Sequence, residues 1–332
     1  LALVGRAPHG DWRGWRGGRR PGGGPAACRR AAGGGVPDDL RRPRPDRLAR
    51  RASTTALVAF LALAASGCAT VAADDRAWIA HGGAQAPIPL ACPPAAPFPG
   101  DPGTLRADRP LSVVVWNIHR NGDPGWAQDL ATFAAASDLV LLQETALTPE
   151  LRERLGEAGR HWAQADAWSF DGVVTGVLIA SAEQPRAACV LRATEPLLAL
   201  PKSALVAWYR IAGRTETLAV ANVHSVNFTL DTGAYRKQLD AVAGLLADHR
   251  GPAILAGDFN TWSADRAAVL AEVAARAGFT EAVPRRGTRS SFLGRPADYL
   301  FVRGLAVDDV WVERVESSDH VPIRATLRFA VP

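Results

Sequence analysis

Six apolar runs in this sequence border side chains that can do acid–base or metal chemistry. The run LSVVVW at 111–116 closes on Asn117-Ile118-His119, and DLVLLQ at 138–143 closes on Glu144-Thr145. A later run ends in Asn222-Val223-His224-Ser225-Val226-Asn227, and PAILAG at 252–257 ends in Asp258-Phe259-Asn260. Asp298 opens a further run, and Ser318-Asp319-His320 precede the last. Each alone has an ordinary explanation. Asn117 or Asn260 closes an Asx-turn, Asp258 or Ser318 caps a helix, Glu144 is a solvated strand end, and His224 is a hydrogen-bonded core histidine. Together they are harder to dismiss. Four carboxylates (Glu144, Asp258, Asp298, Asp319), two imidazoles (His224, His320) and two carboxamides (Asn117, Asn260) recur at strand boundaries. Hard oxygen donors suit Mg²⁺ or Mn²⁺. An imidazole among carboxylates suits general acid–base work. There is no GxxxxGK[ST] loop and no GxSxG elbow, and the cysteines lie elsewhere, which argues against a P-loop machine, a serine hydrolase and a thiolate zinc site.

The elements that must hold these groups follow from periodicity. Residues 111–116 and 138–143 are short, apolar and rich in branched side chains, so they read as buried strands. Further strands are expected at 173–180, 205–211, 217–223, 253–256, 298–302, 306–315 and 321–329. Residues 126–136 have helical spacing. Pro149 suits the first turn of a second helix, with Gly159 near its end. Leu239, Val242, Ala243 and Leu246 give the segment 235–249 one apolar helical face, and 265–277 is a fourth helix. Strands alternate irregularly with helices, and some are joined by tight turns. The pattern predicts one mixed α/β domain with more than one sheet, not a strict parallel doubly wound fold.

Charge divides the chain. Of 38 basic and 33 acidic side chains, 13 arginines and 4 acids fall in residues 1–51, which leaves 25 and 29 in the remainder. The part expected to fold therefore carries a net −4, and the basic total does not argue for a polyanion-binding surface. Residues 1–46 are Arg, Gly, Pro and Ala without apolar periodicity, and they cannot bury enough surface to offset chain entropy. The chain begins at Leu and contains no Met. A misassigned start and a real disordered arm both stay open. Residues 47–68 read as an export signal: a basic start, an apolar run of about a dozen residues, then small residues before Cys68. Ala65-Ser66-Gly67-Cys68 resembles the bacterial lipoprotein box, in which the cysteine becomes the lipidated N-terminus. The expected location is periplasmic, or anchored at the outer membrane through Cys68. Residues 69–109 are proline-rich and are expected to form an extended tether to the domain at 110–332. Cys92 and Cys189 either pair in an oxidising compartment or remain free thiols.

The ordered set WNIH, LLQET, NVHSVN, GDFN, ADYLF and SDHVP resembles the metal-dependent endonuclease/exonuclease/phosphatase superfamily across about residues 110–330. GDFN and SDH are its most specific parts. The resemblance implies a four-layer α/β sandwich, with two packed mixed sheets flanked by helices. It implies that Glu144 binds Mg²⁺ or Mn²⁺, with Asn117 and Asp319 beside it. Asp258 would orient or deprotonate the attacking water, and Asn260 would fix phosphate and water geometry. His320 would face the phosphate, Asp298 would set its tautomer, and His224 would be a second phosphate-facing imidazole. A tyrosine placed at the site in some members has no matching counterpart, since Tyr209 lies in a different strand context. The expected substrate is a phosphoester, in nucleic acid or in a phospholipid headgroup, acted on by a monomer. A non-enzymatic envelope protein that retains the fold is the alternative.

Overall fold

Side chains along a strand alternate between its two faces, and here both faces of the apolar runs are covered. The computed structural model describes residues 69–330 apart from 82–83, 93–94, 99 and 230. The leader and export signal expected at 1–68, with Cys68, lie outside the described residues. In chain order the strands longer than two residues are β1 (Arg76–His81), β2 (Ala84–Pro89), β3 (Leu111–Asn117), β4 (Leu139–Ala146), β5 (His161–Phe170), β6 (Val173–Ser181), β7 (Ala187–Thr194), β8 (Pro201–Ile211), β9 (Thr217–His224), β10 (Ala253–Asp258), β11 (Asp298–Arg303), β12 (Leu305–Val312) and β13 (Ile323–Phe329). The α-helices are α1 (Trp126–Ala136), α2 (Pro149–Glu157), α3 (Gly233–Ala247) and α4 (Ala264–Arg276).

One sheet runs β12-β13-β3-β4-β6-β5-β1-β2, and the other includes β11-β10-β9-β8-β7. Both are mixed, since β3 with β4 and β9 with β10 are parallel pairs among antiparallel ones. Val113, Val115, Leu139 and Leu141 meet Leu205, Val220, Ile254 and Leu300 between the sheets. The alternate residues Val114, Trp116, Val140 and Leu142 pack on Leu130 and Phe133 of α1 and Leu151 and Leu155 of α2. Val206, Ala221 and Leu255 likewise pack on Leu239 and Val242 of α3 and Val269 and Leu270 of α4. The result is the expected four-layer sandwich. Thr148 caps α2 by accepting from Leu151 N at 3.2 Å, and Ser263 caps α4 by accepting from Arg266 N at 3.2 Å.

The tether expected at 69–109 is not a spacer. β1 pairs with β5, β2 with β1, Ala96–Pro97 with β7 and Thr104–Leu105 with β8. Ile79, Leu90, Phe98 and Leu105 are buried in the inter-sheet core. The prolines mislead because Pro87 and Pro89 lie on β2, the edge strand, where a missing N–H removes no interior ladder bond. Cys92 and Cys189 are disulfide-bonded, with Cα atoms 5.2 Å apart, and join this segment to the second sheet.

Buried amides tie the two sheets together near the strand ends. Asn222 Nδ2 donates to Leu142 O and Leu178 O, both at 2.8 Å, and its Oδ1 accepts from Gln143 Nε2 at 2.6 Å.

Candidate active site

Strand register gathers the polar ends. His224 pairs with Asp258 across the parallel β9–β10 ladder, and Asp258 pairs with Asp298 across β10–β11. Three candidate side chains thus come from adjacent strand positions. The close approach depends on Gly257, whose φ is 139° and where a Cβ would stand 1.9 Å from Val223 O.

Asp258 is buried at the centre. Its Oδ2 accepts from Asn117 Nδ2 at 3.0 Å and its Oδ1 from Asn260 N at 3.0 Å. His320 Nδ1 is 2.8 Å from Asp298 Oδ2, which places the imidazole's Nε2 3.9 Å from Asp258 Oδ2. The loop carrying His320 is fixed from three sides. Trp116 Nε1 donates to His320 O at 3.1 Å, Ser318 Oγ donates to Asn117 O at 2.7 Å, and His320 N donates to Ser318 Oγ at 3.1 Å. Burial opposes a charge on His320, but Asp298, Asp258 and Asp319 outweigh it and raise its pKa to about 10. Burial pushes Asp258 up to about 6; His320 pulls it down, while Asp298 and Glu144 push it further up. Asp298 Oδ1 is buried with no hydrogen-bond partner among the described residues.

Glu144 stands in a left-handed backbone conformation, φ 52°, where the β4–β6 register slips between Leu142 and Thr145. The bulge takes its carboxylate out of ordinary alternation. Oε1 lies 3.8 Å from His224 Nε2, and Oε2 lies 3.7 Å from Arg120 Nε. Burial would raise the Glu144 pKa, but Lys202, His224, Arg120 and His320 together hold it at about 2.

Lys202 and Arg120 were absent from the sequence-derived set. Lys202 Nζ is 2.9 Å from His224 Nε2, so the lysine donates to a neutral ring. Burial and Lys202 depress the His224 pKa to about 3. The signal for Lys202 was weak, because the strand was expected to begin at Leu205, past the lysine. In the structure β8 begins at Pro201.

Contacts under 4 Å therefore connect Asn117, Glu144, His224, Asp258, Asp298 and His320. Asn260 joins through its backbone, and its Nδ2 donates to Ser225 O at 3.2 Å. Asp319 stands at the rim, its side chain 62% exposed and 3.9 Å from His119 Nδ1. Tyr209 donates its hydroxyl to Ser181 Oγ at 3.2 Å and is a core residue.

A divalent cation fits this donor set. Glu144 is ionised and receives no hydrogen bond among the described residues, so its oxygens are free for a ligand. Asn117 Oδ1 accepts from His119 N at 3.1 Å and keeps a second lone pair for a cation, and Asp319 is an exposed carboxylate at the rim. Asp258, Asp298 and His320 also bring ligand atoms within 4.8 Å of one another. There, however, His320 Nδ1 is committed to Asp298.

The chain matches the pattern of the Endonuclease/Exonuclease/phosphatase family over residues 114–320. A UPF0294 protein of Vibrio campbellii is 37% identical over 225 residues, which is 67% of this chain and 79% of that one. An endonuclease/exonuclease/phosphatase structure from Beutenbergia cavernae superposes with a TM-score of 0.51 at 22% identity, covering 67% of this chain and 72% of the other. The human Nocturnin catalytic domain, solved with bound sulfate, superposes with a TM-score of 0.53 at 18% identity, covering 69% and 97%. The two structures share the fold with this chain. With the profile match spanning more than half its length, the chain belongs to the endonuclease/exonuclease/phosphatase family.

Proposed function

We propose that this protein hydrolyses a phosphoester bond with the help of Mg²⁺ or Mn²⁺. The observation that carries the reading is the Asp298–His320–Asp258 array beside an ionised Glu144 that accepts no hydrogen bond from a described residue. Glu144, Asn117 and Asp319 would hold the cation, whose chemistry there would be to neutralise charge on a phosphoryl oxygen. Asp258 orients a water and takes its proton as the water oxygen attacks phosphorus. Asn117 and the Asn260 amide keep that carboxylate in place. His320, protonated and oriented by Asp298, gives a proton to the leaving oxygen as the P–O bond breaks. His224 stays neutral, and the Lys202 ammonium it holds supplies a fixed positive charge for a phosphate oxygen.

The substrate is a phosphodiester, in a phospholipid headgroup or in nucleic acid. The first is favoured by the net −4 outside residues 1–51 and by an anchor at Cys68, which raises the local concentration of lipid. The working form is an exported monomer. Bis(p-nitrophenyl) phosphate, sphingomyelin and plasmid DNA, each with Mg²⁺, Mn²⁺ or a chelator, test the reading. Metal-dependent turnover of at least one supports it, and turnover that survives the chelator refutes it. Inertness across a broad phosphoester panel points to a binding protein instead. Labelled fatty acid should enter the wild type and not Cys68→Ser; equal labelling rules out lipidation at that cysteine.

A further inference from the structure

Another buried carboxylate lies apart from this chemistry, on β5. Asp166 sits at the bulge where the β5–β6 register shifts between Asp166 and Trp168. It is 4% exposed, and no described residue donates a hydrogen bond to it; Oδ1 is wholly shielded. The residue lines a half-open pocket of about 220 Å³ with Arg76, Trp78, Trp168 and the segment 70–72. The neighbouring guanidiniums are committed elsewhere. Arg76 Nε donates to Asp74 Oδ1 at 2.9 Å, and Arg192 Nε to Asp75 Oδ1 at 2.6 Å. Arg192 Nη1 also donates to Ala72 O at 2.9 Å, and Arg152 lies 4.7 Å over the Trp78 ring. Asp166 is the carboxylate left over. Burial raises its pKa to about 7, against the pull of Arg76 and Arg192 and with a further push from Asp74.

A buried carboxylate without a donor is unfavourable, and the missing partner must bring both positive charge and N–H groups. The Trp168 indole on the wall favours the same chemistry, because a cation is attracted to a ring face, whereas the Trp78 ring already carries Arg152. An anion would meet Asp166, and a neutral alcohol would leave its charge unmatched. We propose that this pocket binds an organic ammonium group, carried by a free small amine or by an amine-bearing lipid headgroup. Thr70, on its wall, is two residues past Cys68 in sequence, which makes the lipid source worth its own arm.

The test is ethanolamine titrated calorimetrically into the full chain at pH 8. Binding should weaken at least tenfold in Asp166→Asn, and similarly at pH 5.5, where the carboxyl is protonated. Ethylene glycol should give no binding. Trp168→Leu should weaken ethanolamine severalfold, and melting curves confirm that each variant is folded. Co-sedimentation with phosphatidylglycerol vesicles, with and without phosphatidylethanolamine, separates the sources. Heat with free ethanolamine supports the free amine. Sedimentation that needs phosphatidylethanolamine and Asp166, without heat, supports the headgroup. Equal binding by Asp166→Asn, or no response in either arm, overturns the proposal.

Discussion

The candidate active centre and the Asp166 pocket bury the same kind of group and treat it differently. At the centre each carboxylate meets a charge or donor: Asp298 has His320, Asp258 has Asn117 and the Asn260 amide, and Glu144 has four positive or imidazole groups acting on it. At Asp166 the guanidiniums bond other acids, and the carboxylate faces a pocket lined by Arg76, Trp78 and Trp168 without a hydrogen bond from any described residue. Asp258 shows that partners alone do not set acidity. Two hydrogen bonds leave it near 6, because burial dominates and Asp298 and Glu144 add like charge. Burial therefore makes an acid reactive or idle according to the sign of what surrounds it.

Substitutions can break this comparison. The largest effect should come from Asp258→Asn or His320→Ala, each lowering kcat/KM on bis(p-nitrophenyl) phosphate with Mg²⁺ by roughly 10³-fold. A loss below tenfold would remove both from the chemistry. Asp298→Asn should cost less, roughly 10- to 10²-fold, because His320 stays in place while losing the acceptor that sets its tautomer.

Next are stability effects. Asp138 is a buried carboxylate that is fully matched, accepting from Arg109 Nη1, Ser112 N and Ser112 Oγ at 2.8–2.9 Å. Burial would raise its pKa, but Arg109 and Ser112 hold it below the ordinary value. A lowered acid stabilises the fold above its unfolded pKa, and that stability is lost as pH falls through the folded one. Asp138→Asn should therefore destabilise by about 1–3 kcal/mol in urea melts at pH 7, and by less at pH 3. Asp166 runs the other way. A raised acid favours folding below its unfolded pKa, and this is lost as pH rises from about 4 to about 7. Asp166→Asn should raise stability at pH 8 by about 1–2 kcal/mol, the smallest of these effects, with no gain at pH 3. A loss at pH 8 would mean that the carboxylate has a partner in the free protein.

Much of the fold was legible because burial on both faces makes a strand an unbroken apolar run. β3, β4, β9 and β10 all read this way. β5 was overlooked because Gln164 and Asp166 interrupt it, although both are buried. The segment 69–109 was misread because proline content does not tell a free spacer from an edge strand. The cluster that the structure brings together was legible where polar residues follow apolar runs directly, as at Glu144 and Asp258. Lys202 escaped because a lysine ahead of an apolar run looks solvated, and only the fold brings it to His224.

The backbone at Glu144 carries one more consequence. A φ of 52° suits glycine, and any residue with a Cβ, alanine included, costs about 1 kcal/mol there. A sequence selected for folding alone would place glycine at this position. Glu144→Gly should therefore give a protein harder to melt than Glu144→Ala, though both lack the carboxylate. At residue 144 durability and the proposed metal chemistry name different amino acids, and the chain carries the one that the proposal needs.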